Sequence, residues 1–510
     1  MNVAVDRLLS TLAAMWPSHD GLPALTAALS QTSSVSLVLD SREITGGEIF
    51  LAVPGVAVDG RDFMATALAS GAAAILCEAG EMPCSASHDS PVLALPALSQ
   101  RLAEMGRLLF GVPESLALVG VTGTNGKSSV THYIATLLEA LGSPAGVIGT
   151  LGYGRPTQLS AALQTTPGPL PLQQMLGDMA AQGIGHVAME VSSHALAQSR
   201  LGDTRIDAAV FTNLSRDHLD YHGSMAAYAA AKARLFRRDT LELAVVNGDD
   251  ALARLMLAGL AAGVRVLAVG SDEATTLRVL ECETLPSGLR AIVATPEHEG
   301  VLELPLMGRF NLENALLAMA TVYGLGFSLT SVWEASASLR PVPGRMQRLP
   351  RATASRAPIV VVDYGHTPDA LENALSALRE HLPARDGGKL WCVFGCGGDR
   401  DSGKRPLMAA VAERLADAVV VTDDNPRGEP AAAIREQILA GLTPAGRAAT
   451  RSIAGRQRAI ETVIAAASAG DIVLIAGKGH EDYQEIAGTR HPFSDLEIAQ
   501  ACCDRLEVEA

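Results

Sequence analysis

Runs of aliphatic and β-branched residues alternate along the chain with longer stretches whose apolar positions recur at helical spacing. In the middle of the chain the runs are Leu116–Val121, His186–Val191, Ala208–Asn213, Leu243–Asn247 and Val264–Val269. Strands alternating with helical patterns predict a mainly parallel sheet with helices on its faces. From Leu277 to Leu306 the texture becomes short alternating strands with Pro and Gly turns, a small antiparallel extension. Asn311 to Tyr323 then reads as a helix with an alanine- and leucine-rich face. Beyond Pro341-Val-Pro-Gly344 the strand–helix rhythm resumes with Ile359–Asp363, Leu390–Gly395, Ala418–Thr422 and Asp471–Ala476. Before Gly111-Val-Pro113 the strands are shorter and joined by glycine turns, as in Val38-Leu-Asp-Ser-Arg42 and Gly47–Gly55. There Phe63–Leu68 reads as a helix and Ala73–Cys77 as a strand. The pattern predicts an α/β protein of three domains. These are a smaller N-terminal α/β domain over 1–112, a central mainly parallel sheet with helices over 113–340, and a Rossmann-like α/β domain over 341–510.

Composition agrees with that division. The chain has 510 residues, 48% of them hydrophobic, enough for about three domains at roughly 100–200 residues each. It contains no stretch of 18 apolar residues and no basic-then-apolar leader at its start, so it reads as soluble and cytoplasmic, without a membrane partner. Seven cysteines (Cys77, Cys84, Cys282, Cys392, Cys396, Cys502, Cys503) are odd in number and lack Cys-x-x-Cys spacing. They read as buried or incidental thiols rather than disulfides or a zinc site. A net charge of −15 argues against nucleic acid as a partner. Anionic small-molecule substrates would have to be held by local arginines, loop amides and metal ions.

The strongest chemical signal is Leu116-Ala-Leu-Val-Gly-Val-Thr-Gly-Thr-Asn-Gly-Lys-Ser-Ser-Val130. An apolar strand enters a glycine-rich turn ending in Gly126-Lys127-Ser128, and an amphipathic stretch from Val130 to Leu141 follows. Glycines let the backbone approach a phosphate, and loop amides with a helix N-terminus attract the anion. Gly123, Thr124, Asn125, Gly126, Lys127, Ser128 and Ser129 are the candidate ATP-binding residues. Lys127 would reach the outer phosphates and the Ser128 hydroxyl would ligate Mg²⁺. The strict pattern wants glycine where Val121 stands, so the loop is a variant; the plain alternative is a strand-to-helix turn with no ligand.

Two further segments follow strands in the same region. Glu190-Val-Ser-Ser-His194 puts a carboxylate at a strand end, where it suits Mg²⁺; a water-facing glutamate is the alternative. Asn213-Leu-Ser-Arg-Asp-His-Leu-Asp-Tyr-His222 packs polar and ionisable groups behind an apolar strand. His218 within it is a candidate metal ligand or hydrogen-bond donor. Lys232, in Ala229-Ala-Ala-Lys-Ala-Arg234, reads from physics alone as a surface lysine.

Gly123-Thr-Asn-Gly-Lys-Ser128 resembles the loop of the Mur ligase family, which includes the folylpolyglutamate synthetases. These enzymes join an amine to a carboxylate using ATP. The Glu-Val-Ser-Ser-His segment, the Ser-Arg-Asp-His-Leu-Asp-Tyr-His segment and the lysine after them occur in that order in the family. The resemblance implies that Lys232 is carbamylated and helps to hold Mg²⁺ with Ser128, Glu190 and His218. Gly308-Arg-Phe-Asn-Leu-Glu-Asn314 is similar to a two-asparagine element and implies Asn314 near the nucleotide. Pro343-Gly-Arg345 implies Arg345 on ATP, and Val362-Asp-Tyr-Gly-His-Thr-Pro368 implies Asp363 at the ribose, with Gly365 in place of the family alanine. Lys127, Glu190, His218, Lys232, Asn314, Arg345 and Asp363 are thus the implied catalytic set.

The resemblance covers nearly the whole chain and is closest to the diaminopimelate-adding members. It implies Leu39 and Ser41 at a UDP group, with Val56, Ala57 and Val58 contacting it through their backbone. It implies Gln164, Thr165, Thr166, Ser192, Gln198 and Arg200 on the UDP-muramoyl dipeptide. Gly395-Cys-Gly-Gly-Asp-Arg400, Thr422-Asp-Asp-Asn-Pro-Arg427 and Gly477-Lys-Gly-His-Glu481 carry the amino-acid signature. This gives Arg400, Asp424, Asn425, Pro426, Arg427, Gly477 and Glu481 as candidates. A forked guanidinium suits a carboxylate, so Arg400 and Arg427 fit the carboxylates of meso-diaminopimelate and Glu481 its ammonium. The alternative for Gly477–Glu481 is a second anion-binding turn. The expected reaction is amide formation through an acyl phosphate, with ATP and Mg²⁺, in a monomer whose closing domains assemble the site. Rival readings are a lysine-adding ligase, against which Arg427 argues, a folylpolyglutamate synthetase-like ligase, which would lack the Asp-Ser-Arg segment, and a P-loop regulatory ATPase.

Overall fold

A computed structural model describes residues 1–55, 58–80, 91–351, 355–382 and 387–508. Val56, Ala57 and Cys84 lie outside the described residues. The chain forms two compact units, one of Met1–Lys127, Ile134–Val246 and Asp250–Val266, the other of Ser128–Tyr133, Asn247–Asp249 and Leu267–Ala510.

The first unit begins with a five-stranded sheet: β1 Asn2–Ala4, β2 Ser34–Val38, β3 Ile49–Ala52, β4 Ala74–Glu78 and β5 Val92–Leu95, in that spatial order. Only the β1–β2 pair is antiparallel. Successive side chains of a strand face opposite ways. Ile49 and Leu51 accordingly join one apolar cluster with Leu76 and Leu95, while Phe50 and Ala52 join another with Ile75 and Cys77. Gly111 takes φ +66° and ends the helix Leu102–Phe110, the left-handed stop that glycine favours at this position. That helix packs on Pro169–Ala181, with Gly106 against Gln173 and Leu170 and Gly177 against Phe110.

The same unit carries β6 Ala117–Thr122, β7 Ala145–Gly149, β8 Gly152–Arg155, β9 Gln158–Ser160, β10 His186–Glu190, β11 Ala208–Phe211 and β12 Leu243–Asn247. Their order is β12-β11-β6-β10-β7-β8-β9. β7, β10, β6, β11 and β12 are parallel, with β8 and β9 as an antiparallel edge. The two strands preceding the Glu190 and Asn213 segments therefore flank β6, and their C-terminal ends open on the same side as the phosphate loop. In open α/β sheets that is where ligands bind.

In the second unit the end of β13 (Arg265–Gly270) pairs with β14 Leu277–Leu285, followed by antiparallel β15 Gly288–Ala294 and β16 Glu299–Leu304. The helix Arg309–Gly324 follows. Its last sheet has the order β17-β18-β22-β19-β20-β21, from Gln347–Arg348, Ile359–Asp363, Leu390–Phe394, Ala418–Val421, Arg451–Ser452 and Ile472–Ala476 as β17 to β22. All but β17 are parallel. Ile359 and Val361 enter one core and Val360 and Val362 another, as a sheet covered on both faces requires. A hairpin, β23 Tyr483–Ile486 and β24 Thr489–Pro492, precedes the last helix.

The α/β class and the main strands agree with the sequence pattern to within a residue or so at each end. The helix expected from Val130 begins at Lys127, because Gly126 at φ +84° completes the turn earlier. The helix expected from Phe63 is a 3₁₀ turn, Gly60–Phe63, leading into Met64–Ala69. Here the Asp59 side chain accepts from the Arg61 amide and shapes the first turn.

Candidate active site

At the phosphate loop, Gly123 takes φ +152°, and a Cβ there would collide with the Thr212 hydroxyl. The loop is braced by the segment following β11. Asn213 O accepts from Thr124 N at 2.8 Å, and Asn213 Oδ1 accepts from Asn125 N at 3.0 Å. Thr212 Oγ1 donates to Asn125 O at 2.5 Å, and Ser215 N donates to Thr124 Oγ1 at 3.0 Å. The Thr124 and Asn125 amides thus serve the loop itself. An anion is left to the turn at Gly126 and the helix start, where no side chain caps the end.

Lys127 Nζ folds back to Gly123 O (2.9 Å) and Thr124 O (2.8 Å). Lys232 Nζ donates to the same Gly123 oxygen at 2.7 Å. Lys232 is 1% exposed and stacks 4.5 Å over the Tyr228 ring. Burial pushes its pKa well below the ordinary lysine range, and the Lys127 charge adds to this against a smaller pull from Asp217. The surface-lysine reading is therefore corrected. The helix Met225–Ala233 turns this residue inward because Tyr228, Ala229, Ala231, Lys232 and Ala233 form its buried side. Tyr228 was missed by the sequence reading, although its spacing four residues before Lys232 placed it on that side. Its hydroxyl lies 3.1 Å from Thr124 Oγ1, and burial raises its pKa to about 12.

Glu190 is 2% exposed, which corrects the water-facing alternative. Its Oε1 accepts from Thr150 N at 2.9 Å, and its carboxylate occupies the space a Cβ at Gly149 would need. His218 sits at φ +51° with its ring 4.8 Å from His194 and 6.1 Å from Tyr228. Burial lowers the pKa of both His194 and His222. Among the described residues, no three His, Cys, Asp or Glu side chains gather as a metal cage. Of the residues expected at Mg²⁺, Ser128 and Glu190 offer oxygen, the donor type that hard cations take.

The residues expected at the UDP-muramoyl peptide come together beside this site. Arg200 donates to Gln164 Oε1 (3.0 Å), Gln198 Oε1 (2.9 Å) and Thr166 O (3.3 Å). Thr166 Oγ1 donates to Glu190 O at 2.8 Å and accepts from Ser192 N at 3.1 Å. Thr165 and Thr150 hydroxyls meet at 3.1 Å. Leu39 and Ser41 lie in a separate turn, where Asp40 clasps Arg42 (Oδ1 to Nε 2.9 Å) and that ion pair holds the Asp40 pKa at about 2. Leu39 and Val58 are exposed apolar side chains on the N-terminal sheet's loops.

In the second unit, Asn314 donates to Asn311 Oδ1 (3.1 Å), and Asn311 to Met307 O (2.8 Å), both buried. Asp363 accepts from Met346 N (2.7 Å) and Gly365 N (2.6 Å), which brings it next to Arg345. The Arg345 guanidinium lies 4.4 Å over the Tyr364 ring. Burial with the charge of Arg345 pushes both His132 and His480 down to about 4.

The loops after β19, β20 and β22 converge. Arg427, at φ +50°, donates to Gly398 O at 3.0 Å, and its Nε lies 3.5 Å from Glu485 Oε2. Asn425 Nδ2 donates to Glu481 Oε2 at 2.9 Å. Gly398 leaves no room for a Cβ against Pro426 O, and Gly477 sits 3.0 Å from Asp424 by the same measure. Arg400 is exposed at the rim. Below them Arg456, fully buried with Asp495, donates to Ala476 O at 2.9 Å and Asp423 O at 3.4 Å, tying the bases of two of these loops. The sequence reading missed Arg456; a charged residue on an otherwise amphipathic helix gave no signal of burial.

A phosphate loop braced by the next strand, an inward lysine beside it and a second parallel sheet with converging loops define the class, an ATP-dependent ligase. Residues 35–108 match the Mur ligase family catalytic domain, 121–322 the Mur ligase middle domain, and 344–479 the Mur ligase glutamate ligase domain. The chain belongs to the Mur ligase family. It is 49% identical over 477 residues to the UDP-N-acetylmuramoyl-L-alanyl-D-glutamate–2,6-diaminopimelate ligase of Pseudomonas aeruginosa, covering 92% of this chain and 95% of that protein. The ligase of the same name from Chromobacterium violaceum is 46% identical, covering 90% and 92%. A solved structure of a ligase with that name matches at TM-score 0.68 and 38% identity, covering 92% of this chain and 95% of the other. A MurF ligase from Thermotoga maritima in complex with ADP shares the fold at TM-score 0.60 and 20% identity, covering 96% and 99%.

Proposed function

We propose that this chain is the ATP-dependent ligase that adds meso-diaminopimelate to the D-glutamate of UDP-N-acetylmuramoyl-L-alanyl-D-glutamate, in peptidoglycan precursor synthesis. The observation that carries the amino-acid assignment is the Asp424-Asn-Pro-Arg427 turn. Its arginine is oriented by Gly398 and Glu485, and its asparagine by Glu481. The names and identities of the relatives support the same reading.

The ligase acts in three segments, 1–112 for the UDP group, 113–340 for ATP and 341–510 for the amino acid. Gly126, Lys127, Ser128 and Ser129 receive the phosphates, with Gly123, Thr124 and Asn125 shaping the loop. Asn314, Arg345 and Asp363 serve the nucleotide. Ser128, Glu190, His218 and a carbamate on Lys232 would hold Mg²⁺, which when bound would supply charge neutralisation at the phosphates. A buried lysine with a depressed pKa is the amine state that carbamate formation needs. Gln164, Thr165, Thr166, Ser192, Gln198 and Arg200 hold the dipeptide, whose glutamate carboxylate attacks the γ-phosphorus to give an acyl phosphate and ADP. The amine of diaminopimelate then attacks the acyl carbonyl and phosphate leaves. Arg400 and Arg427 take the carboxylates of the amino acid and Glu481 its ammonium. No helix among the described residues is long and apolar enough to cross a membrane. ADP release should require both the UDP-dipeptide and diaminopimelate; full ATP turnover with neither present would overturn the reading.

A further inference from the structure

Lys478 is 0% exposed, and it sits in the loop after β22 beside Asn425 and Glu481, residues assigned above to the amino acid. Its Nζ donates to Asn425 Oδ1 at 2.9 Å and to Glu481 Oε2 at 3.2 Å, and lies 3.6 Å from Asp424 Oδ1. The Tyr483 ring covers it at 5.5 Å. Asn425 Oδ1 also accepts from Glu485 N at 3.0 Å. Two donors on that oxygen fix which way the amide points, since an amide nitrogen there would face two N–H groups. The Asn425 nitrogen is thereby aimed at Glu481 Oε2, at 2.9 Å.

We propose that Lys478 is a positioning residue for the amino-acid substrate, acting through Asn425 and Glu481; the proposal rests on the ligase reading above. Asp424, Glu481 and Lys478 together carry one net negative charge, the complement of a single substrate ammonium. Lys478 and Asn425 both bind Oε2 of Glu481, which directs its other oxygen to that ammonium. Without the lysine, the Asp424 and Glu481 carboxylates would lose the cation they share, and the asparagine amide would be free to turn.

The test compares Lys478→Met, Lys478→Gln and Lys478→Arg with the wild-type enzyme in steady-state ADP release, varying each substrate separately, alongside thermal melts. Removing one member of a buried charged network costs on the order of 30-fold or more. The Met and Gln variants should raise KM for diaminopimelate by about that factor, with KM for ATP and UDP-dipeptide within about twofold of wild type. The Arg variant should recover part of the loss. Gln keeps a donor for Asn425 without the charge, so it reports even where Met prevents folding. Equal increases in all three KM values, or an unchanged KM for diaminopimelate in a folded Gln variant, would overturn the proposal. A wild-type enzyme with no diaminopimelate-dependent ADP release would instead sink the ligase reading, whatever the variants do.

Discussion

The phosphate-loop region and the amino-acid loops treat buried charge in opposite ways. Around Gly123 two lysines converge on one carbonyl oxygen, and Lys232 has an aromatic face rather than a carboxylate for company. The C-terminal loops are instead a lattice of opposite charges, Lys478 with Asp424 and Glu481, Arg427 with Glu485, Arg456 with Asp495. Desolvation depresses the pKa of Lys232. The first region therefore suits ligands that bring negative charge with them, such as phosphates, a carbamate or a carboxylate. The second pairs its cations with carboxylates of the chain and keeps one net negative charge around Lys478, which on the proposed reading meets a substrate ammonium.

The largest effect is expected where the balanced lattice is cut at its base. Arg456→Met leaves Asp495 charged and unpaired at 0% exposure, which should cost about 3–5 kcal/mol of stability. Urea unfolding measures it, and a loss below about 1 kcal/mol would mean that water or another donor reaches Asp495. Arg427→Ala should cost about 2–5 kcal/mol in kcat/KM for meso-diaminopimelate, roughly 30- to several-thousand-fold. Lysine use should change far less. Parallel kcat/KM measurements with both amino acids decide this, and equal losses would make Arg427 structural.

Lys232→Ala tests the unbalanced region. Loss of a group that neutralises transition-state charge typically costs about 2.7–4 kcal/mol, or 10²–10³ in kcat. Short carboxylic acids that enter the gap should restore part of it, and normal turnover at low Mg²⁺ would refute the carbamate assignment. The smallest effect concerns His132 and His480, both held down near 4 in the folded protein. Their neutral forms favour folding above the ordinary histidine pKa of about 6.5, and this stabilisation is lost as pH falls from there toward 4. Each contributes at most about 3 kcal/mol. His132→Gln and His480→Gln should flatten the fall in melting temperature between pH 6.5 and 4, and identical slopes in wild type and variants would exclude that origin.

The main strands, the phosphate loop and its Gly-Lys-Ser were legible in the sequence, because local rules write them. Apolar runs mark strands buried on both faces, and glycine marks a turn that must pass close to other atoms. Short polar strands such as β8 Gly152–Arg155 and β24 Thr489–Pro492 were not legible, since only pairing with a neighbour makes them strands. Arg200 lies 36 residues from Gln164 and 34 from Thr166, and the fold brings it to hydrogen-bonding distance of both. Lys232, Lys478 and Arg456 show the same limit most plainly. By composition each is a solvated cation. The folded structure removes each from water, and its meaning then depends on what stands within 3.6 Å: a carbonyl, two carboxylates and an amide, or an aspartate and two carbonyls. Electrostatic energy in a dry interior is set by distances between residues remote in sequence, so their chemistry was decided by the tertiary structure.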